Sequence, residues 1–233
     1  IDFSLSKTRF SAHGHTINEI DDILEKIINT DYDFTISSFN SKNESTAEKD
    51  AENVETIAAF LNQPGVFQTL DSKTIEKLLL VVRKNILRKV SDIPKPLLYG
   101  DFYAPISVTN WNILFFFHKL VSIIVNSLDD QIVDQWIDKS FIIGLVDLLN
   151  SSDSNEQTST VILIQQIFET FDTKKQFLFN RLIKLVMLHN EGVNSFVCVP
   201  PALKFFTYYF SQNKGYFNQS YNNFFKFVSF QLF

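Results

Sequence analysis

The sequence predicts an all-α protein, a HEAT/armadillo-like, right-handed superhelical solenoid of antiparallel helix pairs. Almost every apolar pattern along its 233 residues repeats at the helical period, and none convincingly has the period of a strand. Short polar turns separate consecutive helices, and the helix starts imply repeats of roughly 40 residues, the length of HEAT or armadillo units. We therefore expect a single helical-repeat domain, 1–233, of about five such units.

Residues 136–171 have the clearest pattern, two apolar helices joined by a polar turn at 150–153. Ser154, with Gln157 three residues later, has the capping-box pattern of a helix start. The apolar residues recur at helical spacing, with Ile142, Leu145, Val146 and Leu149 in the first helix and Val161, Ile164, Ile167, Phe168 and Phe171 in the second. A short-loop helix pair with apolar faces for neighbours on both sides is the unit of a solenoid.

The N-terminal part begins with a predicted helix, for which Thr16 and Glu19 form a capping box. Its apolar face consists of Ile20, Ile23, Leu24, Ile27 and Ile28. Residues 37–53 are polar and predict a long, mobile loop. The helical pattern resumes at Val54 and stops at residues 62–65, Asn-Gln-Pro-Gly.

In the middle of the chain, Asp71 or Ser72 begins the next predicted helix. Its apolar face consists of Ile75, Leu78, Leu79, Val82 and Ile86. Residues 91–109 contain three of the six prolines and predict a second long connection. The following helix begins at Asn110 or Trp111.

Three further helices are predicted in the C-terminal part. Thr173 and Gln176 form a capping box for the first of them. Pro200 and Pro201 open the second, since a proline in the first turn loses no helical hydrogen bond. The third runs from Ser220 to the end of the chain.

Composition narrows the functional classes. Phe accounts for 25 of the residues, which we interpret as core filling. The formal net charge of −5 argues against non-specific nucleic-acid binding, which needs clustered Lys and Arg. Lys84, Arg88 and Lys89 lie close together, and we interpret them as a solvated helix face. No apolar run reaches the ~18 to 20 residues of a membrane span.

The single cysteine, Cys198, excludes a disulfide within this chain and favours a reducing compartment. We expect a cytoplasmic protein, with the nucleus left open as a further location. The chain begins at Ile1 rather than Met and ends within an apolar pattern. We therefore expect a fragment of a longer solenoid, with a natural early stop as the alternative.

The sequence contains no catalytic constellation. His13 and His15 lack a Cys or carboxylate at metal-ligand spacing, and His118 and His189 fit structural positions in helices. Cys198 has no activating partner in the sequence. None of the common nucleotide-binding, hydrolase or zinc-protease motifs occurs. We predict no catalytic, metal-binding or cofactor-binding residues, and keep an enzyme with His118 or His189 in a polar pocket as the third hypothesis.

Residues 136–171 also resemble a known family. Their sequence, WIDKSFIIGLVDLLNSSDSNEQTSTVILIQQIFETF, is similar to a signature segment of the B-prime family of protein phosphatase 2A regulatory subunits. The matching positions are Ile137, Asp138, Phe141, Leu145, Leu149, Asn150, Ser151, Asp153, Ile167, Phe168 and Phe171. The resemblance extends more weakly from Val54 to the C-terminus.

The resemblance implies a non-catalytic subunit that docks on the phosphatase scaffold and catalytic subunits and directs them to substrates in signal transduction. It also implies that substrate proteins bind, through short linear motifs, in a groove between neighbouring repeats. The groove candidates in this chain are Gln165, Gln166, Phe168 and Lys175. The family has His-Arg at the two glutamines and Arg near Lys175, so this chain lacks donors that would meet an acidic peptide.

The alternative is an unrelated HEAT or armadillo interaction scaffold, of the ubiquitin-ligase or trafficking-adaptor type. A parent gene that continues into a different domain after Phe233 would favour it.

Overall fold

The computed structural model describes residues 17–37, 44–90, 107–190 and 196–212. Three predicted features fall on other residues. They are the Thr16 cap, the proline-containing segment up to residue 106, and the helix from Ser220. These three lie outside the described residues.

The described residues form nine α-helices and two short strands. The helices are α1 (Ile17–Ile28), α2 (Glu44–Leu61), α3 (Ser72–Ile86), α4 (Trp111–Ser127), α5 (Asp130–Trp136), α6 (Lys139–Asp147), α7 (Ser154–Thr170), α8 (Asp172–Asn190) and α9 (Val199–Gln212). The strands are β1 (Ile36–Ser37) and β2 (Ser107–Val108). Three 3-10 helices, Phe67–Thr69, Leu148–Asn150 and Phe196–Cys198, complete the regular elements.

The helices form two rows. In one row, α2, α4, α7 and α9 pack each against the next, and in the other row α1 packs against α3 and α6 against α8. Consecutive helices also pack across the rows, as the pairs α1/α2, α3/α4, α6/α7 and α8/α9. Stacked pairs of this kind make an all-α helical solenoid, so the predicted fold class is confirmed.

The described residues contain four helix pairs, which begin at Ile17, Ser72, Lys139 and Asp172. These starts are unevenly spaced, in contrast to the regular rhythm expected from the sequence. The reason is that a long connection lies inside the second pair and the short α5 follows it. A fifth unit stays a prediction, since the helix expected from Ser220 is outside the described residues.

One hydrophobic core runs through both rows. Its largest fully buried side chains include Phe117 of α4, Phe141 of α6, and Phe205 and Phe206 of α9. Burying an apolar side chain of this kind contributes about 1.5–3 kcal/mol. Phenylalanines therefore fill much of the space between neighbouring pairs, which accounts for part of their abundance.

The predicted loop at 37–53 is wrong over most of its length, because α2 begins at Glu44. The segment is polar, but Ala, Glu and Lys are good helix formers. Ala51 and Val54 are buried on one face of the helix. The end of α2 is as predicted, since the helix stops at Leu61 and Gly65 adopts a positive φ of 82°.

The start of α7 differs from the predicted capping box. Asp153, rather than Ser154, is the N-cap, and its Oδ1 accepts a backbone N–H of the first turn at 2.8 Å. Gln157 does not complete a box, because its amide donates to the carbonyl of Ser151 at 2.6 Å. Asp71 caps α3 as predicted, through a backbone N–H 2.7 Å from its carboxylate.

The capping box predicted at Thr173 and Gln176 is also wrong. Helix α8 begins at Asp172, so Thr173 lies inside the helix rather than at its N-cap. The Thr173 hydroxyl donates to the Asp134 carboxylate of α5 at 2.7 Å. Residue Gln176 donates its amide to Asn180 instead of turning back to the helix start. These side chains therefore connect α8 to α5 and to its own next turn.

A two-residue antiparallel ladder, which the sequence pattern does not indicate, joins β1 to β2 with Ile36 opposite Val108. Beside it, the Thr109 N–H donates to the Thr35 carbonyl at 2.8 Å. The Val108 N–H donates to the Asp153 carboxylate at 2.8 Å. The ladder therefore connects the chain that follows α1 to the start of α4, and the Val108 hydrogen bond extends this connection to the start of α7.

Arg88, which follows α3, forms a buried ion pair with Glu156 in the first turn of α7. One guanidinium nitrogen of Arg88 lies 2.6 Å from both carboxylate oxygens of Glu156. The Glu156 side chain is 0% exposed and that of Arg88 11%. The interpretation of Arg88 as part of a solvated face is therefore wrong, because its guanidinium binds a buried carboxylate of the next helix pair. The other two residues of that predicted face, Lys84 and Lys89, are exposed.

We expect Arg88→Met to lower the free energy of unfolding by about 3–5 kcal/mol, because Glu156 is then buried without its cation. Burial already raises the pKa of Glu156, and Arg88 opposes that rise. Without Arg88 the pKa rises further, so the folded state binds a proton more readily than the unfolded chain does. The loss should therefore shrink as the pH falls from about 8 towards about 5, measured by urea unfolding.

Two further variants serve as controls for this prediction. Arg88→Met combined with Glu156→Leu should recover most of the lost stability, since no buried charge remains. The exposed Lys89→Met should change stability by less than about 0.5 kcal/mol. A loss for Arg88→Met that is equal at both pH values, and that the second substitution does not repair, would contradict the assignment.

Candidate functional site

Two candidate binding surfaces flank α7, which lies between α4 and α9 in its row. The first, the α7–α9 surface, consists of Phe168, Lys175 and Tyr209. Phe168 packs edge-on against Phe205 and Tyr209, with ring centroids 5.4 Å and 5.1 Å away. Because Phe168 is only 8% exposed, most of its ring joins α7 to α9 and only an edge reaches the surface.

Lys175 is the cation of the α7–α9 surface. Its Nζ lies 5.7 Å from the centroid of the Phe168 ring, within the range of a cation–π contact. It also forms an ion pair with Asp172 one turn earlier in α8. The structure therefore brings Phe168 and Lys175 together, but the charge of Lys175 is already shared with a carboxylate of its own helix.

The two glutamines of α7 lie in different environments. The Gln166 Nε2 donates to the Ser122 carbonyl at 3.0 Å and to the Asn126 Oδ1 at 2.7 Å, both on α4. Its two N–H donors are thus used within the protein. Gln165 is half-buried and lies three residues before Phe168, which places it on the same helix face as that ring. Of the four predicted groove residues, the structure therefore brings together Phe168 and Lys175, whereas Gln166 faces α4.

The second surface, the α2–α4–α7 groove, is a cavity of about 420 Å³ lined by residues of those three helices. Most of its lining is apolar, and its charged residues are Glu55 of α2 and Lys119 of α4. Sequence reasoning missed this groove because its residues come from distant parts of the chain. The one signal for it was the aromatic run 115–117, followed at once by His118 and Lys119.

His118 lines this groove and is 4% exposed. Neither of its ring nitrogens has a hydrogen-bond partner among the described residues. Burial, with a smaller contribution from the positive charge of Arg88, lowers the pKa of His118 to about 3. The ring is therefore neutral at physiological pH, and it lies beside Trp111, with the two ring centroids 5.9 Å apart.

The described residues contain no group of three His, Cys, Asp or Glu side chains placed to hold a metal ion. Cys198 is buried, and burial raises the pKa of its thiol to about 11, which disfavours the reactive thiolate. Within the same ranges, no helix is long and apolar enough to cross a membrane.

A solenoid with apolar and aromatic surfaces between its repeats belongs to the class of helical-repeat proteins. Residues 15–233 match the family model described as protein phosphatase 2A regulatory B subunit (B56 family). The chain belongs to this family, and the resemblance found in 136–171 is confirmed. A comparison with curated proteins finds no match. The family is one of regulatory, non-catalytic subunits, so the predicted regulatory role is confirmed and nothing favours the unrelated scaffold.

We expect Gln166→Ala to lower the free energy of unfolding by about 1–2 kcal/mol, because two hydrogen bonds to α4 are lost. Gln165→Ala removes the same atoms from the neighbouring position, and should change stability by less than about 0.5 kcal/mol. Urea unfolding of both variants checks the difference. Equal losses would show that the orientation of Gln166 towards α4 has no energetic consequence.

Proposed function

We propose that this chain binds the scaffold and catalytic subunits of protein phosphatase 2A, directs them to substrates, and has no catalysis of its own. The observation that carries the proposal is the match of residues 15–233 to the regulatory B subunit family. The stacked helix pairs support it, since a solenoid presents an extended surface along which several partners can bind.

We further propose that substrate proteins bind the α7–α9 surface through short linear motifs. One edge of the largely buried Phe168, the half-buried Tyr209 and the cation of Lys175 lie side by side there, a combination that suits a segment with apolar and acidic side chains. Because Gln165 is neutral, Gln166 is bonded to α4 and Lys175 is paired with Asp172, we expect weaker binding of acidic motifs than in a subunit with His-Arg at the two glutamine positions.

The proposed location is the cytoplasm, with the nucleus open as a second compartment. The single, buried cysteine is consistent with a reducing environment.

We expect the purified chain to be retained by an immobilised dimer of the phosphatase scaffold and catalytic subunits at mild salt. The physical reason is that the repeated helix pairs offer a preformed surface, so little ordering opposes association. An unrelated HEAT-repeat protein of similar size is the control and should not be retained. Absence of retention for this chain would contradict the proposal, and so would phosphatase activity of the chain alone.

We expect Gln165→His to increase affinity for an acidic substrate motif by about tenfold, because a charge-assisted hydrogen bond contributes about 1.5–3 kcal/mol. Fluorescence polarisation with a labelled peptide from a substrate of this family measures the change. Lys175→Glu should lower the affinity for the same peptide. Lys184 is exposed on the same helix, and Lys184→Glu should leave the affinity unchanged. Equal effects of the two lysine variants would place the motif elsewhere.

A further inference from the structure

We propose that the α2–α4–α7 groove is a second docking site, which binds an extended segment of a partner protein carrying an apolar anchor side chain and an acidic residue. The groove lies on the α4 side of α7, whereas the α7–α9 surface lies on the α9 side. The groove is therefore separate from the proposed substrate site on the α7–α9 surface, and a different peptide segment would occupy it.

His118 is the observation that points to a ligand. Buried polar atoms nearly always have a hydrogen-bond partner, yet both ring nitrogens of His118 lack one among the described residues. A neutral imidazole presents one N–H donor and one acceptor nitrogen. Both nitrogens have almost no accessible surface, so a bound segment can supply a backbone carbonyl or N–H to them only if the His118 ring turns towards the groove.

The walls of the groove suit an apolar anchor. Phe115 and Phe116 of α4 meet edge-on, with ring centroids 5.7 Å apart, and both are half-buried. Opposite them, Ala58 and Ala59 of α2 have small side chains that keep the space open. The cavity volume of about 420 Å³ lies in the range of sites that enclose small ligands or single large side chains.

At the α4 wall of the groove, charge complementarity with Lys119 favours an acidic side chain. The Lys119 Nζ lies 5.5 Å and 5.6 Å from the centroids of the Phe115 and Phe116 rings. These rings hold the ammonium at the groove, and no carboxylate among the described residues lies in ion-pair contact with it. Glu55, on the α2 side, can accept a backbone N–H of the same segment. An acidic side chain beside the anchor completes the set.

The test is a selection of binders from a phage-displayed library of random 12-residue peptides on the full chain, followed by fluorescence polarisation of the enriched peptides. We expect enriched peptides with an aromatic or large aliphatic residue near an Asp or Glu. Ala59→Trp fills the groove from an exposed position and should lower the affinity of the enriched peptides about tenfold or more. Lys119→Glu should weaken them by about tenfold, and Lys26→Glu, the matched charge reversal on α1, by less than about twofold.

A second measurement reads the buried imidazole directly. The chain has 4 histidines, so ring-nitrogen NMR of a histidine-labelled sample can resolve them. Peptide binding should shift the His118 resonances and leave those of His189 in place. Thermal unfolding confirms that each variant is folded before its affinity is compared.

Several outcomes would overturn the docking site. They are no enrichment, enrichment of basic peptides, full binding to Ala59→Trp, or binding that Lys175→Glu abolishes. An enriched peptide whose only effect is to dimerise the chain would identify a contact between two copies. That result would also overturn the docking site. The proposed function is judged separately, by retention of the unaltered chain on the phosphatase scaffold and catalytic subunits, which does not depend on whether peptides are enriched.

Discussion

The packing of α7 is the constraint on which the rest of the described structure depends. This helix contacts α4, α6, α8 and α9, and apolar residues lie on most of its circumference. A helix that is apolar on most sides must be enclosed by others, so its polar N-terminal turn has to find partners inside the protein. Asp153 caps that turn, and Glu156 binds Arg88. These two carboxylates fix α7 relative to the chain that leaves α3 and the chain that enters α4.

Much of the fold could be predicted because the most informative segment encodes packing and caps. Ile137, Phe141 and Ile167 of the family signature are buried. Asp138 and Asp153 of the same signature cap α6 and α7. Periodicity reveals such residues directly, since core positions repeat and caps precede them. Apolar periodicity does not reveal the start of α2, because the residues there are polar although they are helical.

The candidate binding surfaces could be predicted only in part, because both depend on which side of a helix meets which neighbour. The sequence placed Gln165 and Gln166 together, but a step of one residue turns a side chain by about a quarter of the helix circumference. That step directs Gln166 to α4. The family resemblance located the helix, and the packing determined which of its side chains remain available. The groove lined by His118 required helices that no sequence window contains.

The small ladder between β1 and β2 adds backbone hydrogen bonds to the side-chain packing between neighbouring units. In a repeat protein each unit normally touches only its neighbours, so the ends can fray one unit at a time. Here the ladder joins the first pair to the second, and the Val108 hydrogen bond to Asp153 extends the connection to the third. Three units are thereby tied along one edge. The first pair therefore separates from the second only with the loss of the hydrogen bonds of the ladder, which adds to the coupling between these two neighbouring units.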